Sequence, residues 1–284
     1  MKRLLLLLAL LLLVVTGCGQ QSVSTNQSPP EGTGGLQVHF IDVGQADAIL
    51  VQSDGRNMLV DAGNNGDADL VVDYLKKQGI DKLDVIIGTH PHEDHIGGLD
   101  AVIKNFPIGQ VYLPKVNHTS KTYKDVLVAL KKKQIKATPA HGGQNFALGQ
   151  AQVEIMAPNA DKYEELNDYS VVCKITYGQT SFLLTGDAGV RSEEEMLQMG
   201  YNLKADVLKV AHHGSHSATG KAFLQAVAPK IAVISVGQPN DYGHPHRETL
   251  QKLAARGIKV YQTAQVGTIK MISDGKQIEV KTTR

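Results

Sequence analysis

The sequence carries eleven histidines, and eight of them fall in three tight groups: His90, His92 and His95; His212, His213 and His216; His244 and His246. The first group reads Thr89-His90-Pro91-His92-Glu93-Asp94-His95-Ile96-Gly97-Gly98. Pro91 keeps its beginning extended, so His90 and His92 project from a loop at a strand end, while Asp94 and His95 sit on the turn into a following helix. Neutral imidazole and carboxylate are good ligands for Zn²⁺ or Mn²⁺, and four such side chains within six residues could serve two ions rather than one. Two dications about 3.5–4 Å apart jointly lower the pKa of a trapped water to give hydroxide near neutral pH. Hydrolysis by that route needs no Ser or Cys nucleophile.

Such residues must be delivered by rigid elements. Residues 85–89 form an apolar run without alternation, as expected of a strand covered on both faces, and it leads directly into the first histidine group. Upstream, residues 36–43, 48–53 and 57–61 read as a meander, followed by a helix over 68–78 that stops at Gly79. Downstream, a strand at 111–113, a Lys-rich helix over 123–133 and a strand at 153–156 continue the alternation. A hairpin over 171–185 turns at Gly178-Gln179, and a helix over 192–199 has Ser192 as its expected N-cap. Strand, helix, strand and helix follow at 207–211, 218–227, 231–236 and 247–256, and three short runs close the chain. The pattern predicts an α/β fold with two sheets between helices, in one domain spanning 36–284.

Composition is consistent with that. The chain has 284 residues, 29 basic and 28 acidic, with 42% hydrophobic and 20% charged residues and only two cysteines. This excludes an obligatory polycation, a disordered chain and a disulfide scaffold. Cys173 lies in an apolar strand pattern and is expected to be a buried, inert thiol.

The histidine motif resembles the metallo-β-lactamase fold superfamily, whose H-x-H-x-D-H signature is matched by His90, His92, Asp94 and His95. Leu-Val-Asp61-Ala-Gly before it, Leu-Leu-Thr-Gly-Asp187 after it and His212-His213-Gly-Ser beyond follow in the order that family shows. The resemblance implies a four-layered αβ/βα sandwich with two divalent ions, Zn or Mn, on the shared edge of the sheets. His90 and His92 would hold the first ion, Asp94 and His95 the second, Asp187 both, and His213 would complete the second site. Asp61 would stand behind a ligand imidazole and fix its tautomer. The family's further histidine, about twenty residues before the bridging aspartate, has no counterpart, since no His lies between Gly142 and Asp187; Asp168 is the candidate substitute. His212, His244 and His246 would contact substrate or supply a proton to the leaving group.

The HFIDVGQADA, VAHHGSHSA and YGHPH segments look like the exported hydrolase domain of ComEC-type competence proteins, and there is also similarity to phosphorylcholine esterases of teichoic acid. The expected activity is a phosphodiesterase acting on extracellular DNA or another phosphodiester polymer. Alternatives are amide, thioester or β-lactam hydrolysis, teichoic acid esterase activity, or metal-dependent DNA binding without cleavage. Residues 115–136 contain seven Lys and one acid, Asp125, so Lys131, Lys132 and Lys133 are expected to steer a polyanion.

The amino terminus bears on compartment. Lys2 and Arg3 precede twelve apolar residues, 4–15, too short for a bilayer about 30 Å thick but suited to an export signal over 1–17. Val15-Thr16-Gly17-Cys18 resembles a lipobox, which implies a lipid on Cys18. Residues 18–35 form a flexible tether, and the domain is expected at the outer face of the bacterial cytoplasmic membrane.

Overall fold

A computed structural model describes residues 35–284. The expected signal at 1–17, the lipidation site Cys18 and the tether, save Gly35, lie outside the described residues. The first half of the fold runs β1 (Leu36–Phe40), β2 (Ala48–Ser53), β3 (Arg56–Ala62), α1 (Ala68–Lys77), β4 (Leu83–Ile87), α2 (Glu93–Ile96), α3 (Leu99–Asn105), β5 (Ile108–Pro114), α4 (Lys121–Lys132) and β6 (Ala137–Ala140). The second runs β7 (Asn145–Leu148), β8 (Ala151–Ala157), β9 (Val172–Tyr177), β10 (Thr180–Leu184), α5 (Val190–Gln198), β11 (Val207–Lys209), α6 (Lys221–Val227), β12 (Ile231–Ile234), α7 (Arg247–Ala254) and β13 (Lys259–Gln262). A short helix, α8 (Thr263–Val266), returns the chain to the first sheet as β14 (Ile269–Ser273) and β15 (Ile278–Thr282).

Strand order is β15-β14-β1-β2-β3-β4-β5-β6 in one sheet and β13-β12-β11-β10-β9-β8-β7 in the other. Each sheet has an antiparallel part joined to a parallel part, β3 to β6 in the first and β10 to β13 in the second. Parallel strands need crossovers, and the amphipathic helices provide them. Their apolar faces cover the outer sides: Val71, Leu75, Val102 and Val126 over the first sheet, and Met196, Phe223, Leu224 and Leu253 over the second. A third cluster fills the space between sheets, including Phe40, Val60, Val85, Ile87, Val153, Cys173, Phe182 and Val233. Helix, sheet, sheet, helix is the four-layered αβ/βα sandwich. Leu75, fully buried, is representative, and truncation to Ala costs about 2–5 kcal/mol.

In β4 the apolar run is explained by this layering: Val85 and Ile87 face the other sheet while Leu83 and Ile86 face the helices. The turn after it is unusually close to its neighbour. A Cβ on Gly97 would lie 2.2 Å from Asn64 C and Asn65 N, and one on Gly98 2.4 Å from Ala62 O. Side chains there would push α2 away from the end of β3, and with it His95 from Asp61.

Candidate metal centre

Parallel strands end on one edge, and five of them lead to functional side chains. β3 ends beside Asp61, β4 leads to His90, β10 to Asp187, β11 to His212 and His213, and β12 to the loop carrying His244. Asp61 sits in the left-handed region at φ 58°, which turns its carboxylate inward. Its Oδ2 lies 2.7 Å from His95 Nδ1 and accepts from Thr89 Oγ1 at 2.7 Å, while Oδ1 accepts from Thr89 N at 2.8 Å. A carboxylate on Nδ1 keeps the proton there and leaves His95 Nε2 to face Asp187 Oδ1 at 3.2 Å.

Asp187 is the meeting point. On its Oδ1 side stand His95 and, at 3.8 Å, His213 Nε2, which in turn lies 3.1 Å from Asp94 Oδ2. On its Oδ2 side stand His90 Nε2 at 3.9 Å and His212 Nε2 at 3.8 Å, with His92 Nδ1 3.0 Å from His90 Nε2. Two adjacent histidines reach opposite oxygens of one carboxylate because the backbone forces them apart: His212 and His213 both have left-handed φ, 50° and 52°, and Gly214 follows at 86°. Consecutive left-handed residues that are not glycine are strained, and such strain collects at functional sites. His213 Nδ1 is fixed by the Ser235 carbonyl at 2.8 Å. Asn167 Nδ2 lies 3.2 Å from His212 Nδ1, and Ser170 Oγ accepts from Asp187 N at 3.1 Å.

Charge at the centre is balanced toward a cation. Burial alone would depress His95, but Asp187, Asp61 and Asp94 outweigh it and hold its pKa well above the imidazole range. His213 is raised likewise, by Asp187, Asp94 and Asp47 against burial. Burial opposes ionisation of Asp187, and the imidazoles of His95, His213 and His90 reverse that and depress it. His95 Nε2 and Asp187 Oδ1 are buried and make no hydrogen bond. Leaving such groups unmatched costs about 1–3 kcal/mol each. One ligand atom from each of Asp94, His95, Asp187 and His213 can be chosen so that all lie within 4.8 Å of one another. A set of imidazole nitrogens and carboxylate oxygens in this arrangement fits a divalent transition-metal ion.

Residues 41–238 match the family described as Metallo-beta-lactamase superfamily. The chain belongs to that superfamily. This metallo-β-lactamase domain is 32% identical over 252 residues to ComE operon protein 3 of Bacillus subtilis, covering 82% of this chain and 32% of the relative. It is 30% identical over 230 residues to Competence protein ComA of Neisseria gonorrhoeae, covering 80% and 31%. The chain therefore spans about a third of the length of these relatives, in the region where it resembles the ComEC-type domain. A diiron β-hydroxylase from Streptomyces venezuelae, CmlA, shares the fold with a TM-score of 0.56 at 12% identity, over 84% of this chain and 54% of that one. Family and donor set together make the protein a metal-dependent hydrolase.

Within this metallo-β-lactamase domain several expected residues stand elsewhere. Asp168 does not face the metal cluster: its Oδ1 accepts from Gly189 N at 3.1 Å, and burial raises its pKa against the Ser192 and Gly189 N–H groups, which favour the ionised form. Asp168 thus serves the unpaired N–H groups at the start of α5, whose N-cap is Gly189 and not Ser192. His246 turns away from the cluster; its Nδ1 accepts from His216 N at 3.0 Å. His244 lines the cleft of about 480 Å³ with Gln45, Asn64, His92 and Tyr242. Burial and the neighbouring imidazoles of His212, His213 and His246 push it down to about 4, so its ring is neutral at neutral pH and does not act as a charged proton donor.

Lys131, Lys132 and Lys133 stand at the wrong end of α4 for steering. The first turn of α4 meets the site edge, where Thr122 Oγ1 accepts from Asn65 Nδ2 at 3.1 Å. Its last turn lies about 15 Å further down, and Lys133 Nζ donates to Phe106 O at the far end of α3. Two further residues carried no signal beyond their type. Asp47, in the loop before β2, and Lys209, at the end of β11, are buried beneath the centre and paired at 2.5 Å.

Proposed function

We propose that the protein is a phosphodiesterase whose substrate is a phosphodiester polymer, extracellular DNA foremost, acting through two divalent ions, Zn²⁺ or Mn²⁺. The observation that carries the reading is the Asp187 carboxylate, with imidazoles gathered on each of its two oxygens. In this reading His90, His92 and His212 would hold one ion and Asp94, His95 and His213 the other, and Asp187 would serve both. His212 then takes the role the sequence suggested for Asp168. Two such ions supply Lewis acidity toward phosphoryl oxygens and an ionised water near neutral pH.

The rest of the work falls to side chains of this chain. Asp61 holds His95 so that Nε2 points inward. Gln45 accepts from Gly237 N at 3.2 Å and lies 3.4 Å from His244 Nδ1, so it joins the His244 loop to the loop before β2 and shapes one wall of the cleft. Neutral His244 offers a hydrogen bond to substrate, and exposed Tyr242, stacked on it, offers an aromatic face to a base or sugar. Support for DNA comes from the likeness to a protein named for competence. The export signal and a lipid on Cys18 would hold the domain at the outer face of the membrane; among the described residues no helix is long and apolar enough to cross one.

Turnover of bis-p-nitrophenyl phosphate and of labelled DNA by protein loaded with Zn²⁺ or Mn²⁺, compared with nitrocefin, tests this. Cleavage of both phosphodiesters supports it. Hydrolysis of nitrocefin alone, or tight DNA binding without strand loss, overturns it.

A further inference from the structure

The proposed centre is assembled from two sheets. Asp61, His90, His92, Asp94 and His95 come from the first, and Asp187, His212 and His213 from the second. What lies between the sheets is mainly aliphatic packing, which is non-directional and does not by itself fix their lateral registration to a few tenths of an ångström. Ligands for two ions that share a carboxylate need that precision. A directional link between the sheets is therefore expected close to the centre.

The ion pair of Asp47 and Lys209, held by hydrogen bonds from each partner to its own sheet, takes that place. Lys209 is the last residue of β11 in the second sheet, and its side chain is fully buried. Asp47 precedes β2 in the first sheet and is 1% exposed. The Lys209 ammonium stands 2.5 Å from Asp47 Oδ2 and donates to Gly186 O at 3.0 Å, the carbonyl immediately before Asp187. Thr185 Oγ1 donates to Lys209 O at 2.6 Å, so the two residues before Asp187 are tied to Lys209 through its side chain and its backbone. Asp47 is tied to the first sheet's donors by its own backbone: its N–H donates to Asp94 O at 3.0 Å, and its carbonyl accepts from Gly63 N at 2.8 Å, two residues beyond Asp61. Its carboxylate also lies 3.7 Å from His213 Nδ1 and 3.8 Å from His95 Nδ1.

A buried ion pair is a poor source of stability, because desolvation offsets most of its attraction. It contributes geometry instead. We infer that Asp47 and Lys209 form an inter-sheet clamp that sets the separation of the two half-sites and positions Asp187 to be shared by both ions. They are positioning residues and touch no substrate. The inference rests on the dinuclear reading above.

The test uses the full chain as wild type, Lys209→Met, and the double variant Asp47→Asn with Lys209→Met. Calorimetric titration with Zn²⁺ and electron paramagnetic resonance of Mn²⁺-loaded protein are the readouts. The single variant strands the Asp47 carboxylate and can fail to fold, whereas the double variant removes both charges and is expected to keep the wild-type circular dichroism spectrum. Wild type should bind two ions with a spin-coupled manganese signal. The double variant should lose about tenfold or more in affinity for at least one ion and show uncoupled, mononuclear manganese. A folded double variant with two tightly bound, coupled ions overturns the clamp while leaving the dinuclear reading intact. A wild type that binds fewer than two ions overturns the dinuclear reading, and the clamp with it.

Discussion

Asp187 collects imidazoles from two separate segments, and its Oδ1, buried without a hydrogen bond, lies 3.2 Å from His95 Nε2. Asp187→Asn keeps the shape and removes the charge, so metal content measured by elemental analysis should fall to one ion or none, and turnover should vanish. Asp61 acts one bond further out, through His95, and Asp61→Asn should weaken metal binding by about 10- to 100-fold while leaving the ligand set complete; unchanged affinity by competition with a chromophoric chelator would count against that role. Asp168 gives the opposite expectation. Asp168→Ala should cost about 1 kcal/mol in urea unfolding, the value of a lost helix cap, and leave metal stoichiometry at the wild-type level. The difference between these aspartates marks what can be read along a chain. The His90 to His95 cluster is local, so spacing alone brings it together. Asp168 meets Gly189 across 21 residues of chain, and no spacing rule pairs an acidic residue with a distant helix start.

Helices were readable as amphipathic periods, but their direction relative to the site follows only from topology. Because β5 and β6 are parallel, α4 must run back from the site edge, and its richest lysine run is carried away from it. Lys115 and Lys162, by contrast, line a cleft of about 630 Å³ beside Tyr123 and Tyr169, between α4 and the segment that leads to Ser170. Replacing Lys115 and Lys162 by Gln should lower cleavage of a polymer at low salt and spare a small chromogenic diester, whereas the same change at Lys131, Lys132 and Lys133 should affect neither. Helix α5 carries a different signal. Glu193 accepts from Thr219 N at 2.6 Å and Gly220 N at 2.7 Å, joining α5 to the start of α6, and burial pushes its pKa up to about 7. The folded state therefore binds this proton more tightly than the unfolded chain. The resulting stability is fully present below the ordinary glutamate value and is lost as pH rises through about 7. Relative to Glu193→Gln, wild type should lose roughly 3 kcal/mol between about pH 4 and pH 8, read by urea unfolding at both; a pH-independent difference would count against a raised pKa.

At the scale of the molecule, the sandwich brings the ends of two parallel strand sets to one edge, and each set contributes part of the proposed ligand shell. The alternation of elements made two sheets between helices legible, while the shared edge came only from the resemblance of the motifs to the metallo-β-lactamase superfamily. The ion pair of Asp47 and Lys209 was not, because single charged residues in an apolar setting have no period and reveal their partner only when the sheets are stacked. Ions shared between the sheets as proposed would also have a thermodynamic consequence. A cation that binds only when both half-sites are in place binds the folded state and not the unfolded chain, so it stabilises the fold by about 2.7 kcal/mol at a free concentration 100 times its dissociation constant. For a domain of this size that corresponds to a rise in melting temperature of roughly 5–10 °C per site. Removing metal with a chelator should lower the melting temperature in scanning calorimetry by that order, and Zn²⁺ or Mn²⁺ should restore it while Mg²⁺, which prefers all-oxygen coordination, should restore much less. In Asp187→Asn the same additions should give a smaller recovery, since the carboxylate that both half-sites share is gone. A melting temperature indifferent to chelator would mean that no ion links the two sheets.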